Sequence, residues 1–257
     1  MRPIAGRGSL LPINKAINHQ RGQRVQQKIT PPTGVNVVFS TLAISSFAAQ
    51  AGGIALGATR VVYPADAKQA SLAVTNSDKN LRFLIQSWVE TTNGEKTTDF
   101  IMTPPLFVSK PQGENTLRIM YVGQTPPTDR ESVYWINVKA IPAVEREAVQ
   151  GKNVLQLAVL SRIKLFVRPA GLAMSPADAP AKLTFHKQGN KISINNPTPY
   201  YITLVNFNIG NHNLPNTMAA PKSNTDIAIP AGVNGSIKYQ TINDYGANTP
   251  SINGVMK

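Results

Sequence analysis

From Gly52 onward the chain divides into short stretches of alternating apolar and polar residues, parted by turn signals. The alternation predicts strands over Ala58–Tyr63, Ser71–Thr75, Phe83–Thr91, Phe107–Ser109, Thr116–Tyr121 and Ser132–Ile141. Asn76-Ser77-Asp78, Asn93-Gly94 and Pro126-Pro127 supply the turns between them. A longer strand is predicted over Val154–Val167. In it Leu155, Leu157 and Val159 recur at every second position and form one apolar face of an extended segment. Lys164, Arg168 and the strand-breaking Pro169 follow. Such a ladder either closes this protein's own sandwich or is offered to another protein.

Around Pro169–Pro180 the pattern gives way to RPAGLAMSPADAPA, which reads as a hinge into a second unit. Strands then resume over Lys182–Phe185, Lys191–Asn195, Tyr200–Ile209, Thr225–Ile229 and Gly235–Ile242. The chain is therefore all-β, with two antiparallel sandwich domains expected at 52–171 and 172–257. No long segment carries apolar residues at helical spacing.

The pattern before Gly52 is different. A basic region is followed by the uncharged, apolar and small-residue segment Val35–Ala51, which ends in Ala49-Gln50-Ala51. This describes a secretory signal peptide over residues 1–51, cleaved after Ala51. Ser, Thr, Asn and Gln dilute the segment, which makes it short and weak for a transmembrane span.

Charge changes the picture little. The 257 residues carry a formal +13, but six cations and no acid lie in residues 1–51, leaving 20 cations against 13 acids, or +7. No run of like charge marks a nucleic-acid site. The absence of cysteine removes disulfides and Cys-based zinc sites. Outside the leader only His186 and His212 remain, in no metal-ligand pattern. No G-x-S-x-G elbow, P-loop or dinucleotide fingerprint is present. The expectation is a binding protein without catalytic residues, metal or cofactor.

Seven motifs carry a resemblance. GATRVVYP (57–64), TPPLFVSK (103–110), ENTLRIM (114–120), DRESVYWINVKAIP (129–142), LSRIKLFVRP (160–169), NPTPYYIT (196–203) and TINDYGANTP (241–250) occur in one order and spacing. They resemble those of the periplasmic chaperones of the chaperone–usher pilus pathway. The resemblance covers nearly all of residues 53–257 and implies two immunoglobulin-like domains in an L-shaped arrangement around a cleft. Trp88 then falls on the third strand, where immunoglobulin-like sandwiches often bury a tryptophan.

By this resemblance Arg60 and Lys164 match cleft cations that bind the C-terminal carboxylate of a pilus subunit. Leu155, Leu157 and Val159 match a ladder that completes the subunit's unfinished sandwich by donor-strand complementation. Glu131, Arg168 and Asp244 match an inter-domain charge cluster. The short segment Ala143–Asn153 resembles the short F–G loop subfamily. The implied partners are pilus subunits, a tip adhesin and an outer-membrane usher. The free chaperone is expected to be a monomer, with a self-capping dimer as the alternative. Lys164 has the opposite parity to the ladder, so a twist or bulge is expected to reorient it. The competing reading is a secreted two-domain adhesin or structural fimbrial component. That reading expects a missing last strand, whereas this chain continues through VRP into a second domain.

Overall fold

The computed structural model describes residues 52–144, 151 and 155–257. The leader, Val154 and most of the Ala143–Asn153 segment lie outside the described residues, and so do the expectations placed on them. Nine strands build the first sandwich: β1 (Ile54–Leu56), β2 (Arg60–Pro64), β3 (Ala70–Asn76), β4 (Phe83–Glu90), β5 (Phe100–Thr103), β6 (Leu106–Ser109), β7 (Glu114–Tyr121), β8 (Ser132–Pro142) and β9 (Val159–Arg168). They form one sheet in the order β1-β3-β7-β5 and another in the order β2-β9-β8-β4-β6. Alternation fixes which residues meet between them. Leu117 and Ile119 of β7 point inward and are fully buried, whereas Thr116 and Arg118 point out. Leu72, Val74, Ile85, Ile136, Leu165 and Val167 complete the core, which holds the sheets together without a disulfide.

A single 3₁₀ turn at Ala179–Lys182 leads into the second sandwich. Its strands are β10 (Thr184–Gln188), β11 (Lys191–Asn196), β12 (Ile202–Ile209), β13 (His212–Asn213), β14 (Thr217–Ala219), β15 (Ser223–Ala228), β16 (Ile237–Thr241), β17 (Ile252–Asn253) and β18 (Val255–Met256). One sheet runs β15-β11-β10-β18, the other β13-β12-β16-β17 with β14 alongside β12. Phe185, Phe207 and Tyr239 fill the space between them, and the Tyr239 hydroxyl donates to the Pro180 carbonyl at 2.7 Å.

Each sandwich also contains a buried asparagine that substitutes for backbone pairing where a strand ends. The Asn76 amide donates to the carbonyls of Leu81 and Lys110, and its Oδ1 accepts from the Asp78 N–H. The Asn196 amide donates to the carbonyls of Tyr200 and Ala220, and its Oδ1 accepts from the N–H and hydroxyl of Thr198. Both side chains are fully buried, and these hydrogen bonds satisfy their own amide groups.

The pairing departs from a purely antiparallel arrangement in two places. β2 runs parallel to β9, and β18 runs parallel to β10. The first case follows from a change of sheet: β1 pairs with β3, the chain then crosses, and β2 arrives beside β9 heading the same way. Trp88 is not in the core either. Ile85, Ser87 and Val89 take the inward positions of β4, which leaves Trp88 half-buried on the outer face, its indole N–H donating to Glu90 Oε1 at 2.7 Å.

A candidate subunit-binding site on strand β9

β9 has two functional faces, and the register assigns residues to each. Ile163, Leu165 and Val167 belong to the first core, while Lys164, Phe166 and Arg168 face the second sandwich. β8 pairs with β9 from Val159 to Val167 without a shift, and β2 pairs with it only from Lys164 to Arg168. No bulge or local twist reorients Lys164, as the sequence had suggested: Lys164 and the ladder positions lie on opposite faces of one regular strand. On the β2 side, moreover, Val159–Ile163 has no strand beside it among the described residues.

The predicted strand from Val154 was too long. Regular pairing begins at Val159, and Leu155–Leu157 precede it with little support beyond the Gln156 amide donating to the Pro142 carbonyl at 2.6 Å. β8 ends at Pro142, so these residues lack a partner edge. Leu155, Leu157 and Val159 are 81, 67 and 61 % exposed and are not part of the protein's own core. Leu160, of opposite parity to the ladder, is exposed as well, at 52 %.

Arg60 and Lys164, distant in sequence, are direct partners across the parallel β2–β9 pair. Arg60 Nη1 donates to the Ile242 carbonyl at 3.2 Å, and its guanidinium lies 5.7 Å from the Phe166 ring centroid. Lys164 Nζ donates to Thr203 Oγ1 at 3.2 Å. Both cations thus bridge the first sandwich to the second. Neither has a carboxylate within ion-pair distance among the described residues, and Arg60 Nε is buried without a partner. Burial, reinforced by the Arg60 charge, pushes the Lys164 ammonium down to about 8. Burial also lowers Arg60 from its ordinary value, against the pull of Asp244 and Glu131. Two half-buried like charges at one spot form a ready anion site.

Glu131, Arg168 and Asp244 also come together. Arg168 Nε donates to Glu131 Oε1 at 2.6 Å, and its two terminal nitrogens each donate at 2.7 Å to an Asp244 oxygen. Glu131 is only 3 % exposed, and its Oε2 accepts from the Tyr201 N–H at 2.8 Å. Burial raises Glu131 above the usual carboxylate range, with Arg168 opposing the shift. Burial alone would lower Arg168, but hydrogen bonds and charges from Asp244 and Glu131 reverse this and raise it. Asp244 is held in a tight turn. The N–H groups of Tyr245 and Ala247 donate to Asn243 Oδ1, and Gly246, at φ 85°, passes so close to Thr59 that any side chain there would collide. A cavity of about 600 Å³ is lined by Arg60 and all three cluster residues together with Phe166, Tyr200, Tyr201 and Tyr245.

The arrangement combines an unpaired strand edge, an exposed apolar ladder and, at the end of that edge, two cations without a carboxylate partner among the described residues. Comparison with known proteins gives the class of protein. Residues 53–173 match the pili and flagellar-assembly chaperone PapD N-terminal domain, and residues 178–252 match the pili assembly chaperone PapD C-terminal domain. The chain belongs to this family, which is one of chaperones and not of enzymes. It is 56 % identical over 209 residues to the probable fimbrial chaperone SfmC of Escherichia coli K12, covering 81 % of this chain and 91 % of that one. Among solved structures, the periplasmic chaperone SfaE is 48 % identical with a TM-score of 0.69, covering 79 % of this chain and all of that one. The SafB chaperone, solved in complex with the SafA pilin of Salmonella enterica, is 30 % identical with a TM-score of 0.72, covering 79 % and 96 %.

Proposed function

We propose that this protein captures pilus subunits in the periplasm, completes their fold with its own Leu155–Val159 segment, and delivers them to an outer-membrane usher. Residues 1–51 export it, and the working chain comprises domains at 52–171 and 172–257. Leu172 and Met174, packed on the second core, support a boundary between them.

The observation that carries this reading is the exposure of Leu155, Leu157 and Val159 beside an edge that lacks a neighbour. A subunit without its last strand exposes a hydrophobic groove and two unpaired edges, and such a surface aggregates. A client strand lying in line with β2 and beside residues 155–163 fills the gap in this protein's sheet. Its end then abuts Arg60 and Lys164, so its terminal carboxylate meets both cations and its direction is parallel to β9. The ladder meanwhile inserts into the client. Three aliphatic side chains contribute roughly 5–9 kcal/mol gross. The cations set register, because a slip of one residue turns every ladder side chain away from the groove. Glu131, Arg168 and Asp244 fix the second sandwich against β9, so that Thr203 and Ile242 close the anchor from the far side.

The test is co-purification of tagged protein with pilus subunits from the periplasm. Lys164→Ala and Arg60→Ala are expected to abolish capture with the circular dichroism spectrum unchanged. Normal capture by both variants would remove the anchor from the proposal.

A further inference from the structure

In the second sandwich one short segment, Ile252–Lys257, covers an edge of each sheet. β17 lies antiparallel to β16, with Ile252 opposite Tyr239 and Asn253 opposite Lys238. The chain then crosses at Gly254 to the other sheet. There β18 lies parallel to β10, with Val255 opposite Thr184 and Met256 opposite Phe185. The Gly254 N–H donates to the Ile237 carbonyl and the Lys257 N–H to the Phe185 carbonyl, each at 2.8 Å. Past the last pair, His186 Nδ1 stands 2.8 Å from the Lys257 main-chain oxygen. The crossing runs directly over the core. A Cβ on Gly254 would stand 2.5 Å from Ile237 Cγ2 and 2.9 Å from Phe185 Cε2, and both of those residues are fully buried. The segment is nevertheless held lightly. Ile252 packs on the second core, but Val255 and Met256 are 54 and 42 % exposed. Edge hydrogen bonds, more than burial of side chains, keep it in place, and such elements open at low cost.

Without this segment the second sandwich would present a groove floored by Phe185, Ile237 and Tyr239 between two unpaired strand edges, those of β10 and β16. That is the chemistry of an unfinished sandwich, which takes up an extended segment with apolar side chains at two-residue spacing. The free protein already exposes such a segment at Leu155, Leu157 and Val159. Its spacing matches the guard's own, since Ile252 and Gly254, two residues apart, are the positions that meet the core. The first sandwich begins with the same device. β1 pairs antiparallel with β3, the chain crosses, and β2 runs parallel to β9, but β2 leaves Val159–Ile163 open. We propose that Ile252–Lys257 is a guard strand, which fills an acceptor groove in the second sandwich that would otherwise take the Leu155–Val159 ladder of a second copy of this protein. The contact it prevents joins two different surfaces, the ladder of one copy and the groove of the next. Such a head-to-tail contact does not close on itself and grows into open chains. Gly254 seats the guard, because any side chain there collides with Ile237 and Phe185 and lifts both pairings together. The proposal rests on the capture reading above in one respect, that the ladder is a segment this protein lends.

The experiment compares the full wild-type chain with Gly254→Val and Lys257→Pro by size-exclusion chromatography with light scattering over a range of concentrations. Wild type should keep one apparent mass. Gly254→Val should grow with concentration past the mass of a dimer. Lys257→Pro removes a single guard hydrogen bond, the one to the Phe185 carbonyl, and should do the same more weakly. Adding Leu157→Asp to Gly254→Val should weaken self-association by about tenfold or more, tenfold being about 1.4 kcal/mol. An excess of the synthetic peptide TPSINGVMK, residues 249–257, should also return the variant toward monomer by refilling the groove. Gly254→Val and Lys257→Pro that both keep the wild-type mass overturn the guard. Large species that persist with Leu157→Asp also overturn it, because they are then general aggregates of a damaged fold. A Gly254→Val, Leu157→Asp double variant that still binds a pilus subunit would give the groove to the subunit and overturn the second-copy assignment. Subunit capture by Leu157→Asp alone separates the two readings. Capture lost while the Gly254→Val chains persist leaves the capture reading standing and removes the guard. Capture kept while Leu157→Asp dissolves those chains removes the capture reading and leaves the guard.

Discussion

At the scale of single residues, Lys164 shows what the proposed anchor costs its protein. Burial holds its ammonium near 8 instead of 10.5, so the charged form is disfavoured in the free fold. The unfolded chain keeps its proton to higher pH. Between about pH 8 and 10.5 the unfolded state therefore binds more protons, and stability rises with pH across that window. Lys164→Met keeps the stem that crosses to Thr203 and removes the charge. It is expected to raise the melting temperature by about 2 °C at pH 7 while abolishing capture. A melting temperature that falls would mean the ammonium stabilises the cleft.

In the proposed anchor the same residue sets a pH limit on binding. A carboxylate needs the protonated ammonium, so affinity for a peptide with a free C-terminus should hold to about pH 8 and decline above it. Proton uptake on binding should appear between pH 8 and 9, measurable by calorimetry in buffers of different ionisation enthalpy. Lys164→Arg should flatten the profile, because a guanidinium stays charged throughout. An unchanged wild-type profile to pH 10 would place the carboxylate on Arg60 alone.

At the scale of elements, β9 continues from an exposed N-terminal stretch, the proposed lending segment, into a core strand. Its C-terminal half buries Leu165 and Val167 completely, and its N-terminal extension leaves Leu155 and Leu157 exposed. The two halves should respond oppositely to substitution. Leu157→Asp is expected to shift the melting temperature by less than about 1 °C and to abolish capture, since the aspartate stays in water until a client covers it. Leu165→Ala should destabilise by about 2–5 kcal/mol in urea unfolding. Equal loss of stability in both would return the ladder to the protein's own core.

This division also marks how far the sequence could be read. Alternation identified β3, β4, β7, β8 and β11 nearly to the residue, because each has one buried and one outer face. It could not end β9, because Leu155 and Leu157 alternate as Ile163 and Leu165 do. Only the position of Pro142 and the late start of β2 leave the first pair without a neighbour. β5, at Phe100–Thr103, and the two-residue β13, β17 and β18 were too short to show a period. The parallel β2–β9 pair, which makes Arg60 and Lys164 neighbours, depends on a change of sheet that no local pattern records. Trp88 misled for a related reason: sequence gave its strand, but only the register gave its face.

At the scale of the whole molecule, contacts around one end of β9 join the sandwiches, among them Lys164 to Thr203, Arg60 to the Ile242 carbonyl, Phe166 against Tyr201, the Glu131 N–H to the Pro199 carbonyl, and the Glu131–Arg168–Asp244 cluster. The cluster is the most demanding of them. Glu131 lies 3 % exposed, and its compensation comes from Arg168 and the Tyr201 N–H, one from each sandwich. Removing Arg168 leaves that carboxylate buried and unpaired and releases Asp244 from the first sandwich. Arg168→Met is therefore expected to cost about 3–5 kcal/mol, typical of breaking a buried pair by removing one partner. Asp244→Asn leaves the Arg168–Glu131 bond in place, and Asp244 is partly exposed, so its cost should be smaller, about 1 kcal/mol. The pair of variants separates stability from coupling. If the cluster holds the sandwiches in one geometry, Asp244→Asn should loosen the anchor and weaken peptide binding by more than its effect on unfolding, and differential scanning calorimetry should show two transitions for the variant where one is expected for the wild type. A single, merely lowered transition with full peptide affinity would show that Phe166, Tyr201 and the two cleft cations suffice to set the geometry, with the charge cluster redundant.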